Sequence, residues 1–386
     1  MEIKEKITRW VRKRISLPAA GLDLSDRSIK YVRFADAPRG LRDIASGSSR
    51  MMLAEYGTYD IPEGSIAGGV VRDENALAAA IAAASAGAGY AFRASGMVVS
   101  LPEEKSFLKV VHVPRVAPED LAGAVRWGIE GQIPLSPDEM IYGFEEVSSA
   151  GGASDHRDVA VIAFPKDVVM PYVRAVKAAG LTPVAFELES QAIIRAALPD
   201  LESSAARIVM DMGRTRTSFV LVGGGAILFT TTIGVGGQAM ELAIAQGLGV
   251  DAAEAARIKK ETGLSRADYE GRLASVLMPL LAPVAAELVR TVAYYRDHGR
   301  QIASGGGGGD MVENIVLSGG DAGLYGLDTY LASETQIPVV RADPFAAIRE
   351  CMDGTVPLMP YHQALAFTAA IGLALRGRAC ARPRTG

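Results

Sequence analysis

Apolar residues in this chain fall into short β-type runs and longer stretches of helical spacing, divided by turn residues. The run Ile208–Met210 enters an Asp-x-Gly turn, Asp211-Met212-Gly213. Polar Arg214–Ser218 then leads into a second β-rich run, Phe219–Val222. This pattern predicts a hairpin with a carboxylate at its lip. Gly21–Phe34 repeats it, with Asp23 on Asp211, Ser25 on Gly213 and Val32 on Val220, a spacing of 211 − 23 = 188 residues. Two related hairpins half a chain apart predict two similar domains that face each other.

Further strands are expected at Ser95–Ser100, Lys105–Val113, Arg157–Phe164, Ala226–Ile233, Ile315–Leu317 and Ile337–Val340. Helices are expected at Glu74–Ala86, Pro118–Ile129, Val168–Ala179, Gln238–Gln246, Ala252–Thr262, Val276–His298 and Gln363–Arg376. Phe186–Ala197 passes from a strand end into a helix and displays Glu187 and Glu189. Residues 1–15 set Ile3, Ile7, Trp10, Val11 and Ile15 on one helical face among many Lys and Arg. Such a helix suits either an anionic membrane surface or a protein neighbour.

At 386 residues the chain exceeds one ordinary core, and 49% hydrophobic residues suffice for two. A net charge of -4 argues against nucleic acid as the main partner. The four His and two Cys show no zinc-like spacing in sequence, so no metal cage is expected. No signal peptide is visible, and no run is expected to cross a membrane. Ala76–Phe92 and Leu273–Val289 come nearest and read as helices of a soluble protein.

Several phosphate-binding patterns can be compared. A Walker-type loop is absent. Gly234-x-Gly236-x-x-Ala239 matches the loose dinucleotide pattern, but the segment after it reads as helix where a second strand is required. What remains is an ordered set: a hairpin with Asp23, a strand-to-helix turn with Glu189, a hairpin with Asp211, and Ser318-Gly319-Gly320-Asp321 at a strand end.

That order resembles the actin, heat-shock-protein and sugar-kinase ATPase fold. Within it the chain most resembles the PilM family of type IV pilus assembly, relatives of the division protein FtsA. The resemblance runs over about 18–376 and rests on GLDLSDRSIKYVRF, on LKVVHVPRVAPEDLAGAVRWGIEGQIPLSPDEMIYGFEEV, on VMDMGRTRTSFVLVGGGAILFTTTIGVGG and on NIVLSGGDAGLYGLDTYL. It implies an α/β, ribonuclease H-like duplicated fold with a nucleotide cleft and a small inserted subdomain. The expected division is a basic helix at 1–16, domain I at 17–205 with the insert at about 105–165, domain II at 206–342, a return to domain I at 343–378 and a basic tail at 379–386.

The resemblance also implies ATP and Mg²⁺, with at most slow hydrolysis. Asp23 and Asp211 would hold Mg²⁺ through waters, and Ser25, Asp26, Arg27, Gly213, Arg214, Thr215 and Thr217 would lie along the phosphates. Gly236, Gly237, Lys259, Gly319, Gly320 and Asp321 would serve the rest of the nucleotide, and Glu189, preferred to Glu187, would act on an attacking water. The implied partners are the N-terminal tail of a PilN-like inner-membrane protein and other pilus assembly proteins. The tail's groove is expected near Phe107, Val111, Trp127, Ile133 and Tyr142. A cytoplasmic protein at the inner membrane follows. An FtsA-like polymerising protein and a sugar-kinase-type phosphotransferase are the alternatives. The chain departs from its relatives at Ser25, where glycine is usual, and at Ala256, where a glutamate often precedes the lysine by three residues.

Overall fold

The computed structural model describes residues 19–36, 51–93, 95–147, 156–198, 200, 203, 205–264, 271–302, 311–351 and 359–376. The expected helix at 1–15, the glycine loop at 304–309 and the tail from 378 lie outside them.

The first half begins with three antiparallel strands, β1 (Ala19–Leu24), β2 (Ser28–Asp36) and β3 (Met51–Asp60). A two-strand turn, β4 (Ile66–Ala67) and β5 (Val70–Val71), leads to helix α1 (Glu74–Ala88). The Asp73 carboxylate starts that helix by accepting from the Ala76 N–H at 2.9 Å. β6 (Gly96–Leu101) then pairs parallel with β1. An insert follows: β7 (Phe107–Pro114), α2 (Leu121–Ile129), β8 (Met140–Glu146) and β9 (His156–Pro165). After α3 (Lys166–Ala178), β10 (Thr182–Leu188) pairs parallel with β6 and runs into α4 (Glu189–Ala197).

The second half repeats the first. β11 (Ala206–Met212), β12 (Thr217–Gly223) and β13 (Ala226–Ile233) form an antiparallel meander. α5 (Gly237–Leu248), α6 (Ala252–Glu261) and α7 (Arg272–Ile302) follow. β14 (Val312–Ser318) pairs parallel with β11, and past α8 (Leu327–Thr335) β15 (Val339–Arg341) pairs parallel with β14. Short α9 (Tyr361–Ala366) and α10 (Thr368–Arg376) complete it, so the expected helix at 363–376 is broken at Phe367.

The two five-stranded sheets have the same order, β3-β2-β1-β6-β10 and β13-β12-β11-β14-β15. Even the register repeats. Asp23 lies opposite Lys30 and Asp211 opposite Ser218, both at the 188-residue spacing (218 − 30 = 188). β11 and β12 are apolar and buried on both faces, as central strands covered by helices must be.

The halves exchange helices. α4 leaves the first sheet and packs Ile193 and Ile194 on Val209, Val220 and Val316 of the second. α10 returns from the second half and packs Ala370, Ile371 and Ala374 against Val32 and Phe34 of the first. The two helices cross where Gly372 meets the Ala192 carbonyl, and a Cβ there would collide with that backbone. The same close approach explains Gly21, which lies against the backbone of α10.

The expectation of no membrane-length helix needs correction. Arg272–His298 is long and apolar enough to cross a membrane by length and composition. Here it buries Leu273, Leu277, Leu281, Val284 and Leu288 in the core of the second half. Each such leucine contributes about 1.5–3 kcal/mol relative to exposure. The insert is a separate antiparallel sheet, β7-β9-β8, with α2 packed on one face through Leu121, Val125 and Ile129.

Candidate functional site

The two hairpin turns face each other across a narrow cleft between the sheets. Asp23, Ser25 and Arg27 line one side, and Asp211, Gly213, Arg214 and Thr215 line the other. Glu189 enters from the first turn of α4. Gly319 and Gly320 close the end beyond β14, and Leu365, Ala366 and Ala369 lie beside them. Gly319 takes φ +96°, and its N–H donates to the Leu365 carbonyl at 3.2 Å.

Each aspartate sits one residue before the end of a central strand, with a serine on the neighbouring parallel strand. Ser100 donates to Asp23 Oδ1 at 3.1 Å and accepts from the Leu24 N–H at 2.8 Å. Ser318 is the strand partner of Asp211. Its hydroxyl pulls the Asp211 carboxyl down, yet its buried Oγ makes no full hydrogen bond. Lys30 Nζ lies 3.7 Å from Asp23 Oδ2.

Three carboxyls therefore share a narrow space, Asp23 buried and Glu189 and Asp211 half-buried. Burial, then repulsion from Asp23 and Asp211, pushes Glu189 up to about 8, against the pull of Arg216 and Lys30. Burial likewise pushes Asp211 up to about 6, opposed by Ser318, Lys30 and Arg216. Such a cluster is costly without positive charge, and oxygen-only donors suit a hard divalent cation. The residues thus fit Mg²⁺ and phosphate: carboxylates, backbone turns, Arg27 and Arg214 converge, and Ser318 Oγ is open.

Arg216, which sequence reasoning did not single out, crosses the cleft. It reaches Glu104 at 2.8 Å, Glu189 at 3.4 Å and Asp26 at 3.7 Å. Burial works against its charge, but those carboxylates outweigh it and hold the guanidinium above its ordinary range. All three belong to the first half, so the arginine latches the halves together. The enclosed space is only about 70 Å³, far below the ~300 Å³ at which small-molecule sites begin. A nucleotide enters only if the halves part, and the Arg216 contacts resist that.

Other predicted residues are placed less directly. Asp26 accepts from the Gly68 and Gly69 N–H groups at 3.2 Å each and so clamps the β4–β5 turn. Thr217 is fully buried and donates to the Val235 carbonyl at 2.7 Å, so its hydroxyl is turned from the cleft. Gly236 and Gly237 back the second hairpin, and the Gly237 N–H donates to the Gly213 carbonyl at 3.0 Å. Lys259 binds Asp321 at 2.5 Å and Glu241 at 2.7 Å. The carboxylates beside Lys259 thus come from α5 and from the turn after β14, and not from position 256. α8 starts at Leu327, after a Gly319–Gly326 turn. Glu187 faces away from the cleft and binds Arg195 at 2.5 Å and Arg376 at 2.7 Å.

The expected groove residues do not form one groove. Val111 and Ile133 are buried beneath α2, Phe107 packs against the same core, and Trp127 is 78% exposed. Tyr142 lines a cavity of about 630 Å³ between the insert and the first half, bordered also by Gly225 and Ile227 of the second half. Leu108, Ile162 and Phe164 form one wall, Val169, Val173 and Phe186 another, and Glu145, Glu187, Arg195 and Arg376 the charged part. The period-2 alternation of β7 and β9 marks two faces; the wall is the face opposite α2.

A family model described as type IV pilus assembly protein PilM matches residues 21–378. The chain belongs to the PilM family. Among solved structures it resembles a PilM-PilN type IV pilus biogenesis complex, with a TM-score of 0.74, 24% identity and coverage of 94% of this chain and 99% of that one. It also resembles the ethanolamine utilization protein EutJ from Carboxydothermus hydrogenoformans, with a TM-score of 0.51, 15% identity and coverage of 92% of this chain and 88% of that one. The fold is the actin-like duplicated ATPase fold, with a cleft between its halves and a small insert.

Proposed function

We propose that this PilM-family chain is a cytoplasmic component of a type IV pilus inner-membrane complex that binds ATP with Mg²⁺ between its hairpins. It also holds the N-terminal cytoplasmic segment of a PilN-like membrane protein. The observation that carries the nucleotide reading is the meeting of Asp23, Asp211 and Glu189 between two like turns. Asp23 and Asp211 would hold Mg²⁺ through waters, and bound Mg²⁺ would neutralise phosphate charge. Ser25, Gly213 and Thr215 would lie along the phosphates. Arg216 orients Glu189, whose elevated pKa suits a group that exchanges a proton with water. The latched cleft favours holding nucleotide over rapid turnover. Titration of wild type with Mg²⁺-ATP tests this; no binding, or binding unchanged in Asp211→Ala, overturns it.

The partner segment fits the cavity beside the insert, because an extended apolar peptide can fill side pockets along an apolar wall. The resemblance to the PilM-PilN complex and the family match support this reading over an FtsA-like polymer or a phosphotransferase. A labelled peptide from the neighbouring PilN-like protein should bind wild type and lose affinity for Ile162→Glu. Equal binding would move the groove elsewhere. Residues 1–15 add a second membrane contact in this proposal. Anionic vesicles should retain the full chain better than one lacking them.

A further inference from the structure

One group of side chains lies outside both the cleft and the cavity. His112 sits on β7 directly opposite Asp158 on β9, and His156 precedes Asp158 by two residues on the same strand. The period of a strand therefore puts all three on one face of the inserted sheet. His112 Nδ1 is 2.5 Å from Asp158 Oδ1, and His156 Nε2 is 3.6 Å from the same oxygen. The imidazoles meet edge to face at 5.0 Å between centroids. One donor atom from each residue lies within 4.8 Å of the others.

We infer that His112, His156 and Asp158 form a site for one Zn²⁺-class transition-metal ion. Two imidazoles and one carboxylate are a ligand set for zinc with an open coordination position. The donors come from adjacent strands of a paired ladder, so the backbone already sets their separation. A small rotation of the His112 ring exchanges its contact with Asp158 for a shared metal. The carboxylate is buried while the His112 side chain is 56% exposed. The ion would thus rest on a fixed, desolvated ligand and present its open position to solvent. The same face of β9 continues through Ala160 and Ile162 into the cavity wall. A ligand from a partner could complete the coordination beside the peptide groove. Chain positions 112, 156 and 158 carry no zinc-like sequence spacing, so only strand pairing brings the set together. The inference does not depend on the nucleotide reading.

Metal-stripped full-length protein tests it. Zn²⁺ is titrated against a chromogenic chelator with excess Mg²⁺ present, which competes at oxygen-only sites and leaves imidazole ligation to Zn²⁺. Co²⁺ is added in a parallel experiment, and its visible ligand-field bands report coordination. Wild type is expected to bind one Zn²⁺ per chain and to show Co²⁺ bands of four- or five-coordinate nitrogen and oxygen ligation. His112→Ala and His156→Ala should each weaken binding at least ~10-fold, and the double variant should lose the bands. Thermal melting of the metal-free variants checks that they fold, and His112→Gln, at an exposed position, gives a milder second variant. Absence of stoichiometric binding in wild type, or Co²⁺ bands that persist in the folded double variant, overturns the site.

Discussion

The two hairpins share strand order, register and an aspartate, yet they hold their turns differently. In the first, the Ser25 N–H donates to the Ser28 carbonyl at 3.0 Å, and the side chain reinforces that backbone bond. Its hydroxyl donates to the Ser28 carbonyl at 3.0 Å and accepts from the Ser28 N–H at 3.1 Å. In the second, Gly213 relies on backbone alone, its N–H donating to the Arg216 carbonyl at 2.9 Å. A Cβ at 213 would approach that carbonyl to 3.3 Å, which is tight but not prohibitive, so serine can replace glycine in the sister turn. The charges differ as well. Position 28 is serine where 216 is arginine, and position 30 is lysine where 218 is serine. One half supplies Lys30 beside Asp23, and the other sends Arg216 across the cleft. Duplication kept the backbone frame, while divergence split the positive charge between two places.

The largest effect expected from breaking this asymmetry is at Arg216. Arg216→Ala leaves Glu104, Glu189 and Asp26 facing each other with little compensation and should destabilise the fold by about 3 kcal/mol. Chemical denaturation measures it. Arg27→Ala is the contrast, because Arg27 pairs with exposed Glu63, and a change under ~1 kcal/mol is expected. If both variants melt alike, the latch is not a latch.

Next comes the carboxylate pair. Asp211→Asn should weaken Mg²⁺-ATP binding at least ~10-fold in calorimetry, the scale at which mutations around a metal are felt. Asp23→Asn should do less, because Lys30 and Ser100 already engage Asp23. The reverse order would place the chief metal contact in the first hairpin.

A pH series sharpens the same point. Glu189, at about 8, and Asp211, at about 6, both titrate above their ordinary values in the folded chain. Folding therefore favours their protonated forms. Their contribution is fully present below the unfolded pKa values, roughly 4, and is lost as pH rises through 6 and then 8. Glu189→Gln removes the Glu189 share of that loss. Its melting temperature should therefore gain on wild type as pH rises from about 4 to about 8, and hold that gain above, in metal-free buffer. A gap independent of pH would contradict the burial of Glu189.

The smallest effect is expected from Ser25→Gly, which converts the first turn to the second. It forfeits a local side-chain hydrogen bond worth about 1 kcal/mol, and nucleotide affinity should change by less than ~3-fold, since the Ser25 hydroxyl already serves Ser28. A large loss of affinity would mean that the hydroxyl also serves the ligand.

Much of this was written locally along the chain. The alternation at 208–222, its echo at 21–34 and the Asp at each lip are short-range signals, and they determined the duplication and both hairpins. Helix starts were legible where a side chain caps its own helix, as Asp73 and Asp251 do. Tertiary structure alone decided which charges meet. Lys30 and Arg216 look like ordinary polar turn residues until packing brings Asp23, Glu104 and Glu189 to them. It also decided which face of the insert became the cavity wall. Period-2 spacing distinguishes two faces, but it cannot say which meets α2 and which meets the first half. The reason is range: a hairpin is set by residues a few positions apart, whereas a cleft needs carboxylates from positions 23, 189 and 211. Their meeting depends on the crossing of α4 and α10 at Gly372, where backbones touch far apart in sequence.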